Sequence, residues 1–285
     1  MHRRDFLAAS AAVGLAAAQS TGVRLKGRLK QSAMQVNFRA GTPIEEMCRV
    51  ASRLGCEGMD LIPPRDWPVL KKYGLIPTLC PRDMMTIEDG ILRKELHDRL
   101  ETSLHASIDQ CAANGCSNII VVGGQRRGIS YEEGADIGYA FLNRLKKHAE
   151  DKGVTLCLEV MNSKYENPEL GRVDQVCDHV AWGIEMCKRL DSPRVKLLFD
   201  IYHAQIMDGN ICENIRENFR WIGHFHTGGV PGRHEIDDSQ ELNYHFVAKT
   251  IADLGFAGYV AHEFRPAPGR DPVQSLTTAL QVMEV

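Results

Sequence analysis

From about residue 29 the chain repeats one pattern: apolar positions at helical spacing, a glycine, then a short, almost unbroken apolar run. Leu54-Gly55 precedes Cys56–Ile62, Tyr73-Gly74 precedes Leu75–Cys80, and Asn114-Gly115 precedes Asn118–Val122. Lys152-Gly153 precedes Val154–Val160, and Leu254-Gly255 precedes Tyr259–Phe264. A glycine at such a joint marks a helix ending in the left-handed region, where a side chain is costly. The helical stretches are amphipathic, as in Leu142, Leu145, Lys146 and Ala149 against Lys147 and Glu150. Ile119-Ile120-Val121-Val122 is apolar on both faces, which suits a buried parallel strand. Leu29–Asn37, Val195–Ile201 and Ile222–Thr227 read as further strands, bringing the number to eight.

Eight strand–helix units in roughly 255 residues fit one α/β domain, a single (β/α)8 TIM barrel over residues 23–285. An open doubly wound sheet is the competing architecture. It usually carries a Gly-rich phosphate loop after its first strand, and Val36-Asn37-Phe38-Arg39 has none. The composition, with 44% hydrophobic and 25% charged residues, is that of a globular protein. A net charge of −3 with no sizeable basic block argues against nucleic-acid binding. Nine Cys without a Cys-x-x-Cys pair exclude a zinc ribbon or thioredoxin motif; they read mainly as buried hydrophobes with at most one bridge.

The first twenty-two residues read as a twin-arginine-type signal peptide and a short spacer. Met1-His2-Arg3-Arg4-Asp5 is basic, the run Phe6 to Ala18 is apolar, and Ala16-Ala17-Ala18 suits cleavage near Ala18. The run is too short for a permanent membrane anchor. Arg3-Arg4 followed by Phe6-Leu7 resembles the bacterial twin-arginine signal, which implies the corresponding export machinery as a partner and a periplasmic destination. Cleavage there removes two Arg and one Asp, moving the net charge from −3 to −4.

Candidate chemistry sits at the ends of four late strands: Leu158-Glu159, Phe199-Asp200, His224-Phe225-His226 and His262-Glu263. Barrel enzymes place their sites at C-terminal strand ends. A carboxylate closing an apolar run is costly unless paired, hydrogen-bonded or bound to a cation. Steps of 41, 26 and 37 residues, each about one barrel unit, bring Glu159, Asp200, His226 and Glu263 to one rim. Three carboxylates and one imidazole suit one divalent ion, with Mg²⁺ or Mn²⁺ favoured in the absence of thiolate ligands and Co²⁺ or Zn²⁺ also fitting. Strand alternation puts His224 one layer below His226 and turns His262 toward the helices. His203 follows Asp200 closely, and Arg233 lies in the glycine-rich loop Gly228–Glu235; both are candidates for holding substrate oxygens. Arg126-Arg127 is a weaker candidate for anion binding, and Trp67 for a pocket wall.

The segments Leu158-Glu159-Val160-Met161-Asn162, Phe199-Asp200-Ile201-Tyr202-His203 through Asp208-Gly209, Ile222-Gly223-His224, Val230-Pro231-Gly232-Arg233-His234-Glu235, Glu241-Leu242-Asn243-Tyr244 and Glu263-Phe264 resemble the xylose isomerase-like barrel superfamily. The similarity is greatest to its hydroxypyruvate isomerase branch and is strong over residues 155–265. His226 departs from hydroxypyruvate isomerases, which often carry Gln there, and resembles the ketose 3-epimerase branch. The resemblance implies metal ligation by Glu159, Asp200, His226 and Glu263, proton transfer by Glu159 and Glu263, and substrate placement by His203 and Arg233. It also implies isomerisation of a small-molecule α-hydroxy carbonyl compound through a cis-enediolate, with hydroxypyruvate giving 2-hydroxy-3-oxopropanoate. Ketose 3-epimerisation, polyol dehydration and metal-free carbohydrate binding are the alternatives, and the oligomeric state, homo-oligomer included, stays open.

Overall fold

The computed structural model describes residues 27–164, 166–167 and 171–285; the stretch 1–22, read as a signal peptide and spacer, lies outside them. Eight parallel strands form the central sheet of the described residues: β1 Lys30–Met34, β2 Gly58–Asp60, β3 Ile76–Leu79, β4 Asn118–Val122, β5 Thr155–Glu159, β6 Val195–Asp200, β7 Ile222–Thr227 and β8 Tyr259–His262. Their order is β3-β2-β1-β8-β7-β6-β5-β4. Cys80 closes the ring, its N–H donating to Asn118 O at 2.8 Å and its carbonyl accepting from Ile120 N at 3.1 Å. The fold is the expected TIM barrel.

The glycine joints form as expected. Gly55, Gly74, Gly115, Gly153 and Gly255 all have positive φ, from 70° at Gly153 to 90° at Gly55. Helices α1 Ile44–Leu54, α2 Trp67–Lys72, α3 His97–Asn114, α4 Tyr131–Lys152, α5 Val180–Leu190, α6 Ile201–Met207, α7 Ile211–Asn218, α8 Tyr244–Asp253 and α9 Pro272–Val282 surround the barrel. Among the described residues no helix is long and apolar enough to cross a membrane.

Several strands are shorter than the apolar runs suggest, because polar groups end them. The Asn37 side chain accepts from Met34 N at 2.7 Å and curls the chain after β1. Asp200 stops β6 and caps α6, accepting from His203 N at 3.1 Å. The rim carboxylate is therefore also a helix start. All nine Cys are free, eight of them buried, so the bridge allowed for in the sequence does not form.

The two faces of the strands differ in chemistry. Phe199 and Phe225 turn outward and pack together with ring centroids 5.8 Å apart, and Phe225 also stacks on Phe256. The inner face carries a polar chain instead. Thr78 donates to Asp60, Asp60 meets His224 Nε2 at 2.6 Å, and Asn118 reaches His224 Nδ1 at 3.3 Å.

That inner packing depends on Gly58, where a Cβ would lie 2.1 Å from Ile76 O and 2.8 Å from Thr78 Cγ2. Gly58→Ala is expected to push β2 from β3 and to destabilise the fold by about 1–3 kcal/mol, the usual cost of overpacking. Thermal unfolding followed by circular dichroism checks this; an unchanged midpoint would refute the close approach.

Candidate metal centre

The rims of β5 to β8 bring the four expected ligands together. One ligand atom each from Glu159, Asp200, His226 and Glu263 lies within 4.8 Å of the others. His226 Nδ1 is 2.6 Å from Glu263 Oε2, 3.4 Å from Glu159 Oε1 and 4.0 Å from Asp200 Oδ2. Glu159, Asp200 and His226 are buried, and Glu263 keeps 16% side-chain exposure, which leaves the cluster open on one side.

The donor set fits a divalent cation. His226 Nδ1 and Glu263 Oε2 are buried without a well-formed hydrogen bond despite their closeness, so both aim at a shared point rather than at each other. On its far side, His226 Nε2 lies 3.2 Å from Asp60 Oδ2. Burial opposes charge on this ring, but Glu263, Asp60 and Glu159 push it well above the ordinary imidazole range. An ion at Nδ1 would displace the proton there and leave the other on Nε2 toward Asp60, the arrangement of a carboxylate–histidine–metal chain. Three carboxylates against the guanidinium of Arg233 leave two negative charges when His226 is neutral. A divalent ion balances them.

The protein tunes these groups unequally. Burial pushes the Glu159 carboxyl up by more than the hydrogen bond and charge of His226 bring it down, and the Glu263 and Asp200 charges add to the rise. Burial would also raise Glu263, but the Arg233 charge, followed by His226, holds it well below the usual carboxylate range. Burial opposes ionisation of Asp60 too, yet His224 and His226 outweigh it and hold Asp60 at about 2. Burial drops His203 to about 4, so its ring is neutral at pH 7.

His203 and Arg233 sit at the edge of the cluster. Asn162 Nδ2 is 2.7 Å from His203 Nδ1, which puts the ring proton on Nε2; that atom lies 3.7 Å from Asp200 Oδ2 and has no hydrogen-bond partner among the described residues. Arg233 Nη2 reaches Asp200 Oδ2 at 3.1 Å and Glu263 Oε2 at 2.8 Å, with Nε left unpartnered. Its backbone is held at φ 57° by Arg233 N donating to Gly229 O at 2.8 Å and by Arg265 N donating to Arg233 O at 2.9 Å. The loop is anchored further by buried Glu235, which accepts from Ser275 Oγ at 2.7 Å. Both residues line a cavity of about 320 Å³ together with Asn162, Gln175, Tyr202 and Glu88.

Other expectations separate. His224 lies below His226, and His262 turns outward to Gln31 and Thr227, both as expected. Arg126 and Arg127 do not offer a free anion site, because Arg126 meets Asp174 at 2.6 Å and Arg127 meets Asp89 at 2.9 Å. Trp67 is not a pocket wall; it is 1% exposed and donates from Nε1 to Ile62 O at 2.8 Å. Sequence reasoning misses Asp60. The signal that marked Glu159, a carboxylate closing an apolar run, is present at Met59-Asp60, but in a strand of only three residues.

Comparison with known proteins agrees with this architecture. A family model described as xylose isomerase-like TIM barrel matches residues 48–284. A putative hydroxypyruvate isomerase of Danio rerio is 35% identical over 129 residues, 44% of this chain and 45% of that protein, so the match spans less than half of the relative's length. A 2-oxo-tetronate isomerase of Pectobacterium atrosepticum is 25% identical over 241 residues, 79% of this chain and 87% of that one. The crystal structure of an AP endonuclease, family 2, from Brucella melitensis matches with a TM-score of 0.76 and 21% identity, over 87% of this chain and 96% of that chain. Identity at that level carries the fold alone. With the family model running from the first helix to the last, this chain belongs to the xylose isomerase-like TIM barrel family.

Proposed function

We propose that the protein is a metal-dependent isomerase of small α-hydroxy carbonyl compounds, with hydroxypyruvate or a related hydroxylated keto acid as substrate. The observation that carries this reading is the convergence of Glu159, Asp200, His226 and Glu263 on one point beneath a cavity. The names of the Danio rerio and Pectobacterium atrosepticum relatives support it. Mg²⁺ or Mn²⁺ suits the oxygen-rich donor set. Bound there, the ion supplies Lewis acidity to the substrate's carbonyl and hydroxyl oxygens.

The chain's own residues supply the rest. One of Glu159 and Glu263 takes the proton from the carbon that bears the hydroxyl, and the same or the other Glu returns it to the neighbouring carbon. The C–H electron pair becomes the C=C bond of an enediolate, the hydroxyl oxygen gives its proton to the former carbonyl oxygen, and return of the carbon-bound proton restores the C–H bond, so mass is conserved and no oxidant is needed. His203 Nε2–H donates to a substrate oxygen as a neutral group. Arg233, with its Nη2 committed to Asp200 and Glu263, steadies those carboxylates and offers Nε to the substrate. Asp60 keeps His226 in the tautomer that faces the cluster.

Residues 1–22 add a proposal about location: their paired arginines and apolar run support export to the periplasm by the twin-arginine machinery.

Purified protein loaded with Mn²⁺ is expected to exchange substrate C–H for deuterium in D₂O. Glu159→Gln and Glu263→Gln are each expected to slow that exchange by about 10²–10⁴-fold. Exchange unaffected by both changes would refute the proton relay.

Metal binding also has a thermal signature. Adding Mn²⁺ to chelator-treated protein at a hundredfold excess over its Kd is expected to stabilise the fold by about 2.7 kcal/mol, raising the melting temperature by several degrees. Asp200→Asn and His226→Ala should reduce that rise, and an equal rise in these variants would place the ion elsewhere.

His203→Phe is expected to raise KM and lower kcat by removing the neutral donor, with His203→Gln restoring part of the activity. Equal rates for Phe and Gln at this position, measured by steady-state kinetics, would argue against a donor role.

A further inference from the structure

Three residues lining the 320 Å³ cavity carry buried polar atoms without a hydrogen-bond partner among the described residues: His203 Nε2, Arg233 Nε and Gln175 Oε1. The first two border the ligand cluster, and the proposed reaction uses them. Gln175 Oε1 has no such assignment. Gln175 is 1% exposed, and a buried carbonyl without a donor is costly enough to require a reason.

The orientation of that amide is fixed by its other half. Gln175 Nε2 lies 3.4 Å from Ile87 O, a contact only the NH₂ group can make favourably, so Oε1 is the free end. The backbone around it is equally set. Gln175 N donates to Ser163 Oγ at 2.9 Å, Arg126 N to Asp174 O at 2.7 Å, and Val176 N to Gly124 O at 3.0 Å. This is a rigid acceptor, available only to a donor inside the cavity.

Its location defines which part of a substrate it meets. Gln175 bridges to Gln125 just past β4, and its neighbours Ile87 and Glu88 follow β3, whereas the ligand cluster belongs to β5 through β8. The β3–β4 side of the cavity presents acceptors, Gln175 Oε1 and the Glu88 carboxylate, while Arg233 and Arg265 bring positive charge to it from the loops after β7 and β8. The volume has room for about ten water-sized groups, more than the two carbons and two oxygens of a reacting pair.

We propose that Gln175 is a specificity-determining residue. Its Oε1 accepts a hydrogen bond from a substrate hydroxyl next to the reacting pair, so that the site selects α-hydroxy keto acids of at least four carbons over the three-carbon one. The substrate then lies with its hydroxylated tail toward β3 and β4 and its carboxylate toward the arginines. This rests on the isomerase reading of the cluster, and it assigns no group to the proton transfer itself.

The test compares deuterium exchange into hydroxypyruvate, 3,4-dihydroxy-2-oxobutanoate and 3-hydroxy-2-oxobutanoate, the last lacking only the terminal hydroxyl. In the unaltered, Mn²⁺-loaded protein that hydroxyl is expected to raise kcat/KM at least tenfold, because a site built around a hydrogen bond rejects the analogue without it. In Gln175→Met, or Gln175→Leu should the first variant fold poorly by circular dichroism, the ratio is expected to fall to within about threefold of unity. Equal kcat/KM for the two four-carbon compounds in the unaltered protein, or an unchanged ratio in the variant, overturns the proposal. If the unaltered protein exchanges none of the three, the isomerase reading fails by itself. Calorimetry with the non-reacting 2,3,4-trihydroxybutanoate and 2,3-dihydroxybutanoate then decides about Gln175: preference for the former, lost in the variant, sustains it, and equal binding overturns it.

Discussion

Burying several carboxylates within touching distance of one another is the constraint on which this molecule turns. Glu159, Asp200 and Glu263 come from three strands and meet around His226 at the barrel rim. Without counter-charge their mutual repulsion and lost hydration would open the rim. The protein meets part of the demand with Arg233 and with Asp60-oriented His226, and leaves the remainder to a cation. The same surplus of negative charge that burdens the fold suits the site to a divalent ion.

The barrel interior is organised to serve that rim. Asp60 touches both His224 and His226, and through Thr78 and Asn118 the network reaches β3 and β4. Buried networks of this kind are strong when fully satisfied. Around Asp60 the hydrogen bonds are made, whereas at the rim His203 Nε2, Arg233 Nε and Gln175 Oε1 lack one, as does Ser32 Oγ lower on β1. The Asp60 network is a foundation and the rim a binding surface. Arg233 belongs to both, since one nitrogen holds two carboxylates and another faces the cavity.

The barrel was legible in the chain because its signals are local. Each helix-ending glycine and each apolar run reports on its own neighbourhood, and the spacing of Glu159, Asp200, His226 and Glu263 follows from one unit per strand. Strand parity turned His262 outward, and depth along β7 set His224 below His226, both correctly. What escaped was set by distant partners. Asp60 meets His224 and His226 across separations of 164 and 166 residues, which no local pattern encodes. Arg126 and Arg127 looked free until folding brought Asp174 and Asp89 to them. Gln175 lies in an aperiodic connection, and its significance is a missing hydrogen bond, visible only in three dimensions.

The ring of strands has one thin joint. Backbone pairing of β3 with β4 runs through Cys80, with the Asn118 Nδ2–Thr78 O contact beside it, whereas β4 through β8 form continuous ladders. Local opening favours segments with few shared hydrogen bonds. The half of the barrel that gathers the four candidate ligands is thus continuously laddered, and the β3–β4 side is joined more sparsely, with Gln175 held there by backbone hydrogen bonds at and beside it. Substitutions around the joint can reshape what is admitted while the metal's geometry stays fixed, a division of labour that lets one scaffold exchange clients without rebuilding its chemistry.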